Sequence, residues 1–271
     1  MSIIIKNITQ ELLTENFSVE NYCIFAFRGE GCFWVDFVEF TYSGNTLLFL
    51  SPFQNFQKIS GMMHDIQLLE FHGNFYCIEY HKKEVSCNGL LFNNIFLLPH
   101  IEVSDECFKD ILNIFERIEN ESLSCSVYSQ AVLRSYLQLI LALSSKEKSA
   151  ILEQVQQNVE HNLASDFQKL LENHFLTERS VQFYAEKCNL SADAFSKKIK
   201  QLLGKTPTKL IQERVVLEAK KQLHLTYKSI KEIAFEMNFE DEFYFSRFFK
   251  KSVGQSPKHF RDTVGISIVA K

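Results

Sequence analysis

Residues 229–257 read SIKEIAFEMNFEDEFYFSRFFKKSVGQSP, and residues 180–207 read SVQFYAEKCNLSADAFSKKIKQLLGKTP. The two stretches are copies of one another. Phe195-Ser196-Lys197 recurs as Phe245-Ser246-Arg247. At the same shift Lys200 matches Lys250, Gly204 matches Gly254, Thr206-Pro207 matches Ser256-Pro257, and Leu210 matches Phe260. Upstream the shift is shorter by one. There Val181 matches Ile230, Ala185 matches Ala234, and Asn189-Leu190 matches Asn238-Phe239. The lost residue falls in or beside a turn, where insertions are tolerated.

Each copy reads as helix, tight turn, helix. In the second, Ser229 is an N-cap and Glu232 its capping-box partner. Ile230, Ile233, Ala234 and Met237 form a buried stripe. Asn238 stands where the chain turns sharply, and Asn tolerates the left-handed conformation. Asp241 caps the next helix, whose apolar face is Tyr244, Phe245, Phe248 and Phe249. Gly254 ends it, and Ser256-Pro257 starts another helix with Pro at its first position. In the first copy Ser180 and Ser191 are the caps. Val181, Tyr184 and Ala185, then Phe195, Ile199 and Leu202, point inward. Thr206-Pro207 opens a long connecting helix carrying Ile211, Val215, Leu217 and Leu223. The second helices span roughly 192–203 and 241–253.

The outward faces of these second helices hold Ala192, Asp193, Ser196, Lys197 and Lys200 in one copy. In the other they hold Glu242, Phe243, Ser246, Arg247 and Lys250. A helix fits the major groove, where Arg pairs with guanine, Ser bonds several bases and an apolar group touches the thymine methyl. Basic residues toward the helix ends suit phosphate. A plain helical bundle with solvated Lys/Arg faces is the alternative. A repeat that matches at caps, turn and glycine stops is hard to obtain by chance.

Ile230-Lys231-Glu232-Ile233-Ala234, Asn238-Phe239-Glu240-Asp241, Tyr244 to Lys251, Gly254 to Pro257 and Phe260-Arg261 together resemble the signature of the AraC/XylS transcription regulators. Arg214, Ala219 and Leu223 in the connector fit the same pattern. Two positions depart from it: Asn238 stands where Gly is usual, and Phe243 where a small polar residue is usual. The resemblance implies a bacterial, cytoplasmic regulator that binds double-stranded DNA, with RNA polymerase as a partner where it activates. It also implies a variable front domain, in many members a cupin-like β-barrel that binds a small effector and is followed by dimerising helices. No enzyme activity, cofactor or metal is expected.

Composition fits this division. The chain of 271 residues is 46% apolar and long enough for two domains. Residues 1–175 carry 11 Lys/Arg against 22 Asp/Glu, whereas residues 176–262 carry 17 against 11. Only the rear is suited to a polyanion. Seven Cys without paired spacing fit reduced thiols. No secretory signal or membrane span is read.

The expected architecture is α+β in two domains. A sensor and dimerisation domain spans 1–145, with strands over about 20–100 and helices over about 105–143. A linker (146–162) opens on the polar run Ser144 to Ser149. The DNA-binding domain covers 163–262, and 263–271 is a tail. Short strands are expected at Tyr22 to Arg28, Gly31 to Phe40, Thr46 to Leu50, Phe53 to Ile59, Ile66 to Phe71 and Phe75 to Tyr80. Turns are expected at Gly29–Gly31 and Ser43-Gly44-Asn45.

In the front domain Phe33, Trp34, Phe37, Phe40, Phe49, Phe53 and Phe56 form either an apolar effector pocket or a filled core. Phe33, Trp34, Phe37 and Phe49 are the pocket candidates. Ile111, Leu112, Phe115 and Ile118, with Val132, Tyr136, Leu139 and Ile140, make either a dimer interface or a cover for the sheet. His64, His72, His81, Glu70 and Glu79 lack the His-x-His spacing of metal-binding cupins. That absence and the repeat argue against the opposing reading of a cupin-type enzyme. A third reading keeps the DNA binding and makes the front domain an assembly module without a ligand.

Overall fold

The computed structural model describes residues 3–14, 17–36, 38–52, 54–73, 75–76, 90–92, 95–124, 126–156 and 163–264. The chain divides into two compact units, Met1–Gln154 and Val155–Lys271. The first is an antiparallel sheet with helices and the second is helical, an α+β protein of two domains.

In the front unit the strands are β1 (Ile3–Asn7), β2 (Phe17–Ser18), β3 (Tyr22–Val35), β4 (Val38–Leu50), β5 (Asn55–Phe71) and β6 (His100–Val103). A 3-10 turn at Gln10–Leu13 follows β1. The sheet order is β1-β5-β3-β4-β6, with β2 on β5. Among the described residues nothing pairs β1 with β6, so the sheet is open where a closed cupin-like barrel was expected.

Three long strands replace the series of short ones read from the sequence. The cause is the glycines. Gly29 (φ +134°), Gly31 (φ +153°) and Gly61 (φ +82°) lie inside β3 and β5, with Gly31 opposite Gly61. A Cβ on Gly29 would stand 1.9 Å from the Met62 carbonyl oxygen, and one on Gly61 would stand 2.0 Å from that of Glu30. These residues permit a close backbone approach between paired strands and are not a turn. Ser43-Gly44-Asn45 likewise lies within β4, with Gly44 opposite Gly29. The actual hairpin pairs Val35 with Val38. Its turn residue Asp36 adopts φ +49°, as two-residue hairpin turns require. The Asp36 carboxylate accepts from Gln54 Nε2 (2.9 Å) and the Asn55 amide (3.0 Å). Phe75 and Tyr76 are not in a strand. Phe37, Phe53 and residues 77–80 lie outside the described residues.

The sheet buries both faces. One carries Ile24, Ala26, Leu47, Phe49, Leu69 and Phe71 and packs with α1 (Asp105–Ser122) and α2 (Ser129–Gln156). The other carries Phe25, Phe27, Phe33, Leu48, Phe56 and Leu68, together with Leu13 and Val19. Ser104 caps α1 by accepting from the Cys107 amide at 3.2 Å. Ile111, Phe115 and Ile118 are fully buried in the first core, with Leu137 and Ile140 from α2. Each such side chain stabilises the fold by about 1.5–3 kcal/mol. Leu112 and Tyr136 pack partly against this core, and Leu139 is exposed. Most of the apolar surface weighed for dimerisation is therefore spent on covering the sheet. The run Ser144 to Ser149, read as the start of a linker, is helical, and Ser144, Ser145 and Lys148 are buried.

Gly29→Ala should cost upwards of about 2 kcal/mol in urea unfolding, because its Cβ meets backbone in a conformation Ala disfavours. Gly44→Ala, where a Cβ meets nothing within 4 Å at φ +70°, should cost only about 1 kcal/mol. Equal losses would show that the close approach at Gly29 is not a structural constraint.

Candidate nucleic-acid interface

The rear unit consists of α3 (Leu163–His174), α4 (Val181–Lys187), α5 (Ala192–Leu203), α6 (Pro207–Leu225), α7 (Ile230–Glu236), α8 (Glu242–Val253) and α9 (Pro257–Val264). Each expected cap is made. Ser180 accepts from the Gln182 amide, Ser191 from that of Ala194 and Thr206 from that of Lys209. Ser229 and Glu232 bond reciprocally as a capping box, and Asp241 accepts from the Tyr244 amide at 2.6 Å. Gly204 and Gly254 are left-handed (φ +71° and +89°) and close α5 and α8. Pro207 and Pro257 stand at the first helical positions.

The turns are as alike as the sequences. Asn189 and Asn238 have φ +56° and +57°. The Leu190 amide donates to the Ala185 carbonyl and the Phe239 amide to the Ala234 carbonyl, both at 2.9 Å. These bonds satisfy carbonyls that the end of the preceding helix leaves open.

On α5 the core side is Phe195 and Ile199, and on α8 it is Phe245 and Phe249, all fully buried. Leu202 and Tyr244, read as inward, are about half exposed. The opposite faces carry the ten residues expected to meet DNA. Asp193, Lys197, Lys200, Phe243, Arg247 and Lys250 are exposed, while Ala192, Ser196, Glu242 and Ser246 are half-buried beside them. Phe243 is 69% exposed, so this large apolar ring is held out into solvent. The ion pairs of the rear unit use Lys205, Lys209, Arg214 and Lys228. Lys197, Lys200, Arg247 and Lys250 remain unpaired among the described residues.

Three arginines fix the frame behind these faces. Arg214 of α6 lies 3.8 Å from the Phe175 ring and bonds Glu172 of α3 at 2.8 Å. Arg261 of α9 donates to the carbonyls of Leu223 (3.1 Å) and Lys228 (2.6 Å), at the end of the connector. Arg179, just before α4, stacks 3.9 Å from the Phe239 ring and donates to the Met237 carbonyl. It thereby ties the first copy to the turn of the second. The sequence reading missed Arg179, because a lone Arg ahead of a cap carries no local pattern.

Residues 184–263 match a family model described as a helix-turn-helix domain. The rear unit thus carries a helix-turn-helix domain similar to that of AraC/XylS-type regulators. The HTH-type transcriptional activator RhaS of Escherichia coli O139:H28 is 31% identical over 149 residues, 54% of this chain and 50% of that protein. The chain thus aligns with about half the length of the curated relatives it matches. Among solved structures, the C-terminal domain of the response regulator yesN from Fusobacterium nucleatum is 28% identical, with a TM-score of 0.33. It covers 35% of this chain and 93% of that one. Apo ToxT K231A from Vibrio cholerae is 12% identical, with a TM-score of 0.45 and 97% coverage of both chains.

In front of the AraC/XylS-type domain, the aromatic candidates do not converge. Phe33 and Phe56 are buried in one core and Phe49 in the other, on opposite faces of the sheet. Phe40 packs beside Phe33. Trp34 is 39% exposed, with its indole nitrogen 3.4 Å from Glu39. His64 is exposed and His72 half-buried, while Glu70 is held by Lys6 (2.5 Å) and Asn21 (2.7 Å). Glu79 and His81 lie outside the described residues. Among the described residues no three His, Cys, Asp or Glu form a metal-binding group, and none of the helices is long and apolar enough to cross a membrane.

The turn of the AraC/XylS-type domain yields a direct test. Asn238→Gly should leave stability unchanged or slightly raised, whereas Asn238→Val should cost about 1–2 kcal/mol for a branched residue at φ +57°. Urea unfolding of both variants checks this, and a tolerated Val would mean that the left-handed turn is not required.

Proposed function

We propose that the protein is a sequence-specific DNA-binding transcription regulator of the bacterial cytoplasm, whose front unit binds a small effector and biases DNA binding by the rear. The observation that carries this reading is the pair of matched helix-turn-helix units with unpaired Lys197, Lys200, Arg247 and Lys250 on their outward faces. Helices of this kind enter successive major grooves, with the amino-terminal residues at the base edges and basic ends on phosphate. The assignment of individual contacts follows from side-chain chemistry. Arg247 suits guanine O6 and N7, Phe243 a thymine methyl, and Asp193 the amino group of cytosine. RNA polymerase is the further partner of such a protein when it activates. Self-association remains open to Leu139 and the exposed Leu123, Val127 and Tyr128 at the start of the α2 region.

Selection of bound sites from a random DNA pool tests the reading, and recovery of no preferred sequence would sink it. On a selected site Arg247→Ala and Lys197→Ala should each lose about 1–3 kcal/mol of specific binding. A loss equal on all sequences would move the residue to a phosphate. Affinity should fall steeply and linearly with salt on logarithmic axes.

Phe243 supports a separate measurement. Replacing single thymines by deoxyuridine removes only the methyl group. One such replacement should weaken the protein and leave Phe243→Ala unaffected, by about 1 kcal/mol. If no thymine methyl matters, the ring faces elsewhere.

A further inference from the structure

Lys148 on α2 is 4% exposed, the sole buried lysine among the described residues. Its Nζ donates to the Leu98 carbonyl at 2.6 Å, and no described carboxylate pairs with it. An ammonium has three donors, and a neutral carbonyl does not balance its charge. Removing such a charge from water is costly unless a counter-charge comes with it. Burial lowers the Lys148 pKa to about 8, which leaves it mostly charged at neutral pH.

Further buried polar atoms near Lys148 lack partners. One helical turn before Lys148, and so on the same face of α2, Ser144 is fully buried with its Oγ unpartnered. Two residues beyond Leu98, at the start of β6, His100 is 6% exposed with its Nδ1 unpartnered. Burial, and then the nearby charge of Lys148, push the His100 pKa down to about 4, so the imidazole is neutral. The rings of Phe33 and Phe40 stand edge-on to it, at 5.2 and 6.0 Å. A buried ammonium and a hydroxyl thus lie one turn apart on α2, and the nearby His100 imidazole stands against the Phe33 and Phe40 rings.

We propose that this part of the front unit binds a small organic acid. Its carboxylate accepts from Lys148 Nζ and Ser144 Oγ, and its apolar body lies against His100, Phe33 and Phe40. The proposal rests on the reading that the front unit takes an effector, and it names the site and the chemical class. It also gives a route to the rear. α2 is the last helix of the front unit, and seven residues after its end Leu163 opens α3. A ligand that pins Lys148 holds the carboxyl-terminal half of the helix that leads there.

The test uses the full chain with benzoate and hexanoate as probes, and benzyl alcohol and hexan-1-ol as uncharged controls. At least one acid at millimolar concentration should raise the thermal midpoint by several degrees and change Trp34 fluorescence, while the alcohols do neither. Lys148→Met keeps the bulk and removes the charge. It should fold, be no less heat-stable than the parent, and lose the response. Ser144→Ala should keep the fold and weaken the response several-fold, which provides the test should Lys148→Met not fold. The proposal is overturned if neither acid acts, if Lys148→Met responds like the parent, or if Ser144→Ala binds unchanged. DNA binding is read separately on the selected site. A chain that binds acid but prefers no DNA sequence would defeat the regulator reading and leave this site standing.

Discussion

The rear unit depends on one backbone constraint, the left-handed residue that ends the first helix of each copy. With Asn189 and Asn238 near φ +56°, the next amide turns back to a carbonyl five residues earlier at 2.9 Å. That bond sets the angle at which the chain leaves the helix. Ser191 and Asp241 then fall where they can cap the following helix. Once its start is fixed, helical periodicity decides the rest. Phe195 and Ile199, or Phe245 and Phe249, go inward, and positions two residues before and after each Phe face solvent. The exposure of Asp193, Lys197, Phe243 and Arg247 is therefore a consequence of the turn.

Two such units need a common frame to act together. α6 supplies much of it through fully buried Ala219 and Leu223, and three arginines complete it. Arg214 ties α6 to α3, Arg261 ties α9 to the carboxyl end of α6, and Arg179 ties the first copy to the turn of the second. Each guanidinium has an aromatic ring or backbone carbonyls as its partners, and Arg214 has carboxylates as well. A planar group with five fixed donors suits that mixture, and a lysine would not.

The rear was legible in the sequence because its determinants are local. Caps, glycine stops and a 3.6-residue stripe all lie within one helix length, and the repeat states them twice. Arg179 escaped because its partners are some sixty residues away. The front was legible only as β-rich. Its strands were misjudged because a glycine marks both a turn and a close approach, and only the partner strand distinguishes them. A turn at Gly29–Gly31 would have paired residues summing to about 60. The true turn at Asp36 pairs Phe33 with Phe40 and Ile24 with Phe49. That register sends Phe33 and Phe49 to opposite faces, which dissolves the aromatic pocket. Likewise Ser144 to Ser149 was polar enough to pass for a linker. Half of it, Ser144, Ser145 and Lys148, is instead buried on α2, where composition without structure gives no sign of it.

The two copies share a backbone but not a chemistry. At equivalent outward positions α5 presents the carboxylate of Asp193 and α8 the ring of Phe243. A carboxylate favours a base that donates and repels phosphate, while a phenyl ring favours a methyl group and ignores charge. One unit can therefore not replace the other on DNA. On the proposed reading, a site contacted by both consists of two different half-sites. Charge adds to this asymmetry. The front 175 residues hold twice as many acidic as basic side chains, and phosphate repels them while it attracts the rear.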